Sequence, residues 1–151
     1  MNHRDIHTQF GALTLTEEDG MITRLNWGAS GRADPSPVLD RACDQLAAYD
    51  AGTGTGFDLP LHVAGGDLQR AVCQAMRDIP HGDTVTYGDI ARALGVSAQA
   101  VGQACGRNPI PIIIPCHRVM GAKGLTGFSG AGGVETKVAL LRHEGAGGFL
   151  I

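Results

Sequence analysis

The segment 108–119, with the sequence NPIPIIIPCHRV, constrains the fold of this chain more than any other stretch. Three consecutive isoleucines at 112–114 stand between prolines. A short β-branched run bounded by turn-forming residues is typical of a buried strand. The prolines exclude a helix and keep the segment out of a regular central ladder, because proline has no N–H to donate. We therefore predict a rigid, buried, extended segment that stops at Pro115.

Three chemically active side chains, Cys116, His117 and Arg118, follow this segment at once. A free cysteine is most often a buried and inert apolar side chain, and that alternative applies here. Two observations favour a reactive thiol instead. The proline before Cys116 restricts how the chain approaches it, and the polar residues after it are difficult to bury without partners.

Composition limits the class of protein. With 151 residues, 43% hydrophobic and 18% charged, the chain is long enough for one globular domain or two small ones. It has no run of 18 apolar residues and no apolar signal core at its N-terminus, so we expect no membrane contact and a cytoplasmic location. The four cysteines contain no C-x-x-C pair, which argues against a zinc site and favours free thiols in a reducing compartment.

The first part of the chain predicts a small α/β scaffold domain over residues 1–63. Alternating apolar residues at 12–27, with an Asp-Gly turn, predict a β-hairpin. Ser36 followed by proline is typical of a helix start, and residues 57–61 are a candidate edge strand. This domain carries nine acidic and four basic side chains, a net charge of −5, and we identify no chemistry in it.

The remainder, residues 64–151, predicts a mainly α domain with a helix-turn-helix. One helix is expected to begin with Asp67 as its cap. Two short helices begin after Thr86 and Ser97 and are joined by a turn that contains glycine. A last helix is expected at 134–144. The domain has a net charge of +2, which favours contact with phosphates, although a mixed solvated surface has a similar count.

One face of the third of these helices is unusual for a solvent-exposed helix. Gln99, Gly102, Gln103 and Gly106 lie on it at helical spacing. The face is small, uncharged and rich in amides, and each glycine costs about 1 kcal/mol of helix stability. Close approach of another backbone would explain the glycines. That backbone is either a nucleic-acid groove or the N-terminal domain.

The motif PCHRV at 115–119, preceded by Asn-Pro at 108–109, closely resembles the active-site motif of the O6-alkylguanine-DNA alkyltransferases. These are the methylated-DNA–protein-cysteine methyltransferases. The resemblance covers residues 68–144, including TVTYGDIA at 84–91 and GFS at 127–129, and is looser before them. It identifies the chain as a member of that family.

The resemblance implies direct repair of double-stranded DNA that contains O6-alkylguanine. The Cys116 thiolate is expected to attack the alkyl carbon on a flipped-out guanine in one irreversible turnover, without cofactor or metal. The helix that follows Ser97 is expected to lie in the minor groove. The protein is expected to act as a monomer.

A proton relay is expected to generate the thiolate. Consecutive residues of an extended chain point to opposite faces, so His117 is expected to reach Cys116 through a water molecule. Glu144 continues the apolar stripe of the last helix and is the predicted acceptor that orients His117, unless that helix end is solvated. The resemblance implies the same glutamate–histidine–water–cysteine order.

The resemblance also assigns substrate contacts by position. Tyr87 is expected to donate a proton or hydrogen bond to the leaving guanine, and Ser129 to hydrogen-bond its O6. The backbone carbonyls of Cys116 and Val119 are expected to accept from the exocyclic amine.

Five further positions are assigned to support and to DNA. Asn108 is expected to brace the turn between the recognition helix and the site, and Arg118 to tie down the site loop. Gln99, Gln103 and Arg107 are assigned to DNA binding. Gln99 departs from the family, which commonly has an arginine there that fills the gap left by the flipped base. The turn before it is also two residues shorter.

Two other functions compete with this prediction. A lesion-binding relative that recognises alkylguanine without repairing it lacks the cysteine, whereas Cys116 is present here. A cysteine hydrolase would need an oxyanion hole and a separate histidine with partners, and the sequence has no signature of either. Alkyl transfer is therefore the predicted function.

Overall fold

The computed structural model describes residues 1–121 and 133–146. Its internal contacts divide the chain into two units, Met1–Val63 and Ala64–Ile151. Within the described residues, no helix combines the length and the apolar composition needed to cross a lipid bilayer.

An antiparallel sheet of three strands forms one side of the first unit. The strands are β1 (Asn2–Thr8), β2 (Gly11–Glu18) and β3 (Met21–Trp27), in that order across the sheet. The predicted hairpin is present as β2 and β3, and both residues of its turn, Asp19 and Gly20, have positive φ. β1 was not predicted from the sequence, although it pairs with β2 along its whole length. Polar residues at most positions of β1 conceal the alternation that marks a half-buried strand.

A single helix, α1 (Pro37–Ala51), lies against all three strands. Its predicted start is confirmed, because the Ser36 hydroxyl accepts from the Leu39 N–H at 3.3 Å. The predicted edge strand at 57–61 is wrong, since this stretch makes one isolated parallel bridge between Leu61 and Ile22. Pro60 has no N–H with which to extend a ladder.

Four helices account for about half of the described residues of the second unit, 64–121 and 133–146. They are α2 (Asp67–Arg77), α3 (Tyr87–Leu94), α4 (Ala98–Gly106) and α5 (Val134–His143). The predicted capping box of α3 is present: the Thr86 hydroxyl accepts from the Asp89 N–H at 3.0 Å, and the Asp89 carboxylate accepts from the Thr86 N–H at 2.9 Å. Asp67 is not a cap, because it is the first residue of α2 and Gly66 precedes it without a side-chain hydrogen bond.

The short helices α3 and α4 pack against each other and are joined by a turn at 95–97. Gly95 is left-handed with φ 69°, and the Ser97 hydroxyl accepts from the Ala100 N–H at 3.1 Å. This is the predicted helix-turn-helix. The fold class is therefore confirmed: a small antiparallel sheet with a helix comes first, and a mainly helical part follows.

The predicted strand at 112–114 is absent, and a buried turn takes its place. The Ile113 N–H donates to the Pro111 carbonyl at 2.9 Å, and the Ile114 N–H donates to the Ile110 carbonyl at 2.9 Å. Ile112 lies at the tip with φ 72°, which costs a β-branched residue about 1–3 kcal/mol. Its burial helps to hold it there. The segment is buried, but it is not extended.

The residues after this turn are also not extended. Cys116–Arg118 form one turn of 3₁₀ helix. The chain then pairs in parallel as Val119–Met120 (β5) with Val85–Thr86 (β4) just before α3. The expectation that Cys116 and His117 point to opposite faces, as in a strand, is therefore wrong. With three residues per 3₁₀ turn, neighbouring side chains diverge by about a third of a turn.

Candidate active site

Asn108 connects the end of α4 to the reactive segment. Its N–H donates to the Cys105 carbonyl at 3.2 Å, at the last turn of the helix. Its side-chain amide donates to the Ile114 carbonyl at 2.8 Å and accepts from the Ile110 N–H at 3.0 Å. The same side chain forms a hydrogen bond with the Cys116 thiol. Asn108 thus closes the buried turn and touches the sulfur.

The Cys116 thiol lies at the start of the 3₁₀ turn and is buried. Burial raises its pKa to about 11, while the hydrogen bond from Asn108 and the charge of Lys137 act in the opposite direction. A thiol in this state is protonated at neutral pH. Because the thiolate is the nucleophilic form, the site needs a base to remove the proton.

His117 provides an unprotonated nitrogen next to Cys116 in the chain. Its ring is fully buried, with Nε2 at 2.6 Å from a Glu144 carboxylate oxygen. Burial lowers the pKa of His117, so the ring is neutral and its single proton lies on Nε2, where it can donate to the carboxylate. The lone pair is then on Nδ1. Within residues 1–121 and 133–146, Nδ1 has no hydrogen-bond partner.

The Glu144 carboxylate accepts hydrogen bonds from the side chains of both Arg118 and His117. It accepts from Arg118 Nε at 2.8 Å and Nη2 at 3.1 Å, in addition to His117. Burial alone would raise the pKa of Glu144, but the hydrogen bonds from His117 and Arg118 lower it well below its usual range. The predicted contact between Glu144 and His117 is therefore present. The alternative of a solvated helix end is wrong, because Glu144 is buried directly after α5.

Arg118 holds this network to the rest of the unit. Its Nη1 donates to the Ile79 carbonyl at 2.7 Å, just beyond the end of α2. The guanidinium thus connects the 3₁₀ turn to the end of α5 and to Ile79 just beyond α2 through three hydrogen bonds. The resemblance implies that Arg118 ties down the site loop, and these contacts are what such a role would require.

Lys137 is the site residue that the sequence analysis missed. Its side chain is 1% exposed, and Nζ donates to the Val119 carbonyl at 2.6 Å. Lys137, Leu141 and Glu144 fall on one face of the last helix, so the pattern contained the signal. A lysine on an apolar stripe can extend its charged end to solvent, so the spacing alone does not indicate that this one is buried. The Val119 carbonyl, predicted to bind substrate, already accepts this one donor.

The residues predicted to contact DNA lie on the exposed side of α4. Gln99, Gln103 and Arg107 are all exposed. At Gly102 and Gly106, no atom of the described residues comes within 4 Å of the place that a Cβ would occupy. The close packing against protein that would explain these glycines is therefore not found in the described part of the chain.

Two further predicted residues need separate mention. Tyr87 is half-buried as the first residue of α3. Ser129 lies outside the described residues. Across residues 1–121 and 133–146, no group of three His, Cys, Asp or Glu side chains could hold a metal ion.

Replacing Glu144 with glutamine is expected to destabilise the second unit by about 3 kcal/mol at neutral pH, because it leaves the Arg118 guanidinium buried without an anion. The pKa of Glu144 is lower in the folded state than in the unfolded chain. The contribution of Glu144 to the free energy of unfolding is therefore complete above about pH 4.3 and is lost as the pH falls. Urea unfolding from neutral to acidic pH should show a steeper loss in the wild type than in Glu144→Gln.

Glu135→Gln is the matched control, since Glu135 is exposed on the same helix. We expect it to change the free energy of unfolding by less than about 1 kcal/mol. A Glu144→Gln variant as stable as this control would contradict the account of the buried network.

Comparison with known proteins agrees with this geometry. Residues 67–146 match the model of the DNA-binding domain of 6-O-methylguanine DNA methyltransferase. The methylated-DNA–protein-cysteine methyltransferase of Mycolicibacterium paratuberculosis is 40% identical over 95% of this chain and 92% of its own length. The constitutive methylated-DNA–protein-cysteine methyltransferase of Bacillus subtilis is 40% identical over 91% of each chain.

Solved structures show the same relationship. The crystal structure of Mycobacterium tuberculosis O6-methylguanine methyltransferase superposes with a TM-score of 0.84 at 41% identity, covering 95% of this chain and 92% of that one. The structure of Mycobacterium tuberculosis OGT in complex with DNA has a TM-score of 0.84 at 42% identity, over 95% and 93%. The chain belongs to the methylated-DNA–protein-cysteine methyltransferase family.

Proposed function

We propose that this protein repairs DNA by moving a methyl or larger alkyl group from O6 of guanine to the sulfur of Cys116, once per molecule. The observation that carries the proposal is His117. This residue is a buried, neutral imidazole whose Nε2 is held by Glu144 and whose Nδ1 has no partner among the described residues, one position after a buried cysteine. Membership of the family agrees with this activity.

The reaction conserves charge and protons. His117 Nδ1 takes the thiol proton of Cys116 through a bridging water, and Glu144 stabilises the imidazolium that forms. The sulfur forms a bond to the alkyl carbon while the bond from that carbon to O6 breaks, and the electron pair passes to the guanine. Tyr87 donates a proton or hydrogen bond to the leaving base. In the net reaction the guanine gains one proton and Cys116 has lost one, so the proton held by His117 restores the balance. The thioether is stable, so each molecule reacts once.

The described contacts support a site for the flipped base at β5 and the 3₁₀ turn. The carbonyl of Val119 already accepts from Lys137 at 2.6 Å, and a carbonyl oxygen has a second lone pair for the exocyclic amine of guanine. The Cys116 carbonyl accepts from the Val119 N–H and can be shared in the same way. Ser129 is proposed to hydrogen-bond O6.

The exposed face of α4 is proposed to bind the minor groove of double-stranded DNA. Two observations support this: open space surrounds both Gly102 and Gly106, and the surface carries Gln99, Gln103 and Arg107. Small residues permit the backbone of α4 to approach a narrow groove. We place DNA binding and chemistry in residues 64–151, assign residues 1–63 to a scaffold, and propose a monomer that acts in the cytoplasm.

Incubation with a duplex that contains O6-methylguanine should add one methyl group to each protein molecule, on Cys116. Intact-protein and peptide mass spectrometry measure this directly. Cys116→Ser should gain nothing, whereas Cys43→Ser, changed at a half-buried thiol in the first unit, should gain one methyl like the wild type. An unmethylated duplex should leave all three proteins unchanged. Methyl on Cys73 or Cys105 in the native protein, or repeated turnover, would contradict the proposal.

Gln99→Arg should tighten duplex binding and speed repair of duplex DNA. An arginine can stack in the gap left by the flipped base and adds one charge near the phosphates. The slope of log binding constant against log salt should steepen by about one unit. Repair of free O6-alkylguanine base should change little, because that reaction requires no flipping.

The free base is thus the control for Gln99→Arg, measured with the same protein. Equal acceleration on base and duplex, or no change on the duplex, would mean that Gln99 does not lie at the gap.

A further inference from the structure

Lys137 is a buried cation without a carboxylate partner. All 15 acidic side chains belong to residues 1–121 and 133–146, and none of them forms an ion pair with Lys137 in that part of the chain. The residues outside it, 122–132 and 147–151, contain neither Asp nor Glu. A lysine that is 1% exposed is rare unless it is paired. Its charge therefore needs an explanation that a structural role does not supply.

The Lys137 ammonium is anchored close to the reactive turn. Nζ donates to the Val119 carbonyl at 2.6 Å, and the Val119 N–H donates to the Cys116 carbonyl. Burial raises the pKa of Cys116, and the charge of Lys137 opposes that shift. Burial lowers the pKa of Lys137, and an ionised Cys116 opposes that shift in turn. The two groups therefore favour each other's charged form.

The other ionisable groups around the site do not compensate Lys137. Burial raises the pKa of Cys73 on α2, and raises that of Cys105 on α4 to about 12, so both are neutral thiols at neutral pH. Glu144 is paired with Arg118. Burial lowers the pKa of His117, which is neutral.

Cys73 also accepts a hydrogen bond, from the Gln69 amide at 3.7 Å, but it is not among the groups that shift the pKa of Lys137. Cys105 is among those groups, but its effect on Lys137 is smaller than that of Cys116, and only Cys116 of these two has a side-chain hydrogen bond, from Asn108, that lowers its pKa. Hydrogen bonds to the charged form favour ionisation. Of the thiols near Lys137, Cys116 is therefore the one equipped to carry the negative charge.

We propose that Lys137 is the counter-ion of the Cys116 thiolate. His117 removes the thiol proton, and the Lys137 ammonium stabilises the anion until the alkyl group is transferred. The proposal rests on the proposed function, in which this thiolate attacks the alkyl carbon. Lys137 acts on the charge of Cys116 and does not touch the substrate, so it is a positioning residue and not a catalytic one.

The test uses Lys137→Gln, which keeps a donor but removes the charge, and Lys137→Arg, which keeps the charge. The rate of Cys116 modification by iodoacetamide is measured against pH, with each cysteine quantified by peptide mass spectrometry. At neutral pH, Cys116 in Lys137→Gln should react at about one tenth of the wild-type rate or lower. Raising the thiol pKa by one unit or more lowers the thiolate fraction by this factor. Lys137→Arg should retain most of the wild-type rate.

Cys43 is the internal control, because it lies in the first unit and its rate should be equal in all three proteins. A folded Lys137→Gln variant with an unchanged Cys116 rate would overturn the proposal, and so would equal losses in both variants. Lys137→Met provides a second neutral side chain if Lys137→Gln does not fold. Iodoacetamide modifies the thiol without DNA, so this test of Lys137 does not depend on repair activity. A wild-type protein that gains no methyl group from methylated DNA would refute the proposed function but not the role of Lys137.

Discussion

The buried carboxylate of Glu144 is the group on which the site depends. It accepts from Arg118 and His117 together, and Arg118 also donates to the Ile79 carbonyl beyond α2. Burying a charge is much less costly when the charge is paired and hydrogen-bonded, so these contacts favour one arrangement of three chain segments. The hydrogen bond between Glu144 and His117 places the histidine proton on Nε2 and leaves Nδ1 as the base. The same contacts therefore stabilise the unit and set up the chemistry.

The reactive thiol depends on a second constraint, which is the turn at 110–114. Ile112 adopts a left-handed conformation that a β-branched residue avoids on its own. Asn108 accepts from one side of this turn and donates to the other, and it also reaches the Cys116 sulfur. Prolines on both sides limit the alternatives. The thiol is thus positioned by backbone geometry, while its charge is controlled by side chains from other elements.

Features that depend on neighbouring residues in the sequence were predicted well, whereas those that depend on tertiary contacts were not. The caps at Ser36, Thr86 and Ser97 depend on a few neighbouring residues, so the starts of three helices were predictable. The contact from Glu144 to His117 followed from an acid placed on an apolar stripe. The turn at 110–114 was mistaken for a strand, because apolar β-branched residues favour both and only the contacts of Asn108 decide. Lys137 was missed because its burial depends on how α5 packs.

The central claim is that His117 is neutral at neutral pH, with its proton on Nε2 and its lone pair on Nδ1. Nitrogen-15 NMR of the histidine side chains distinguishes the two neutral forms from the charged one. His117→Gln identifies the resonances. The account predicts the Nε2-protonated neutral form for His117 in the unreacted protein. A proton on Nδ1, or a fully protonated ring, would contradict it, because neither form leaves an acceptor for the thiol proton of Cys116.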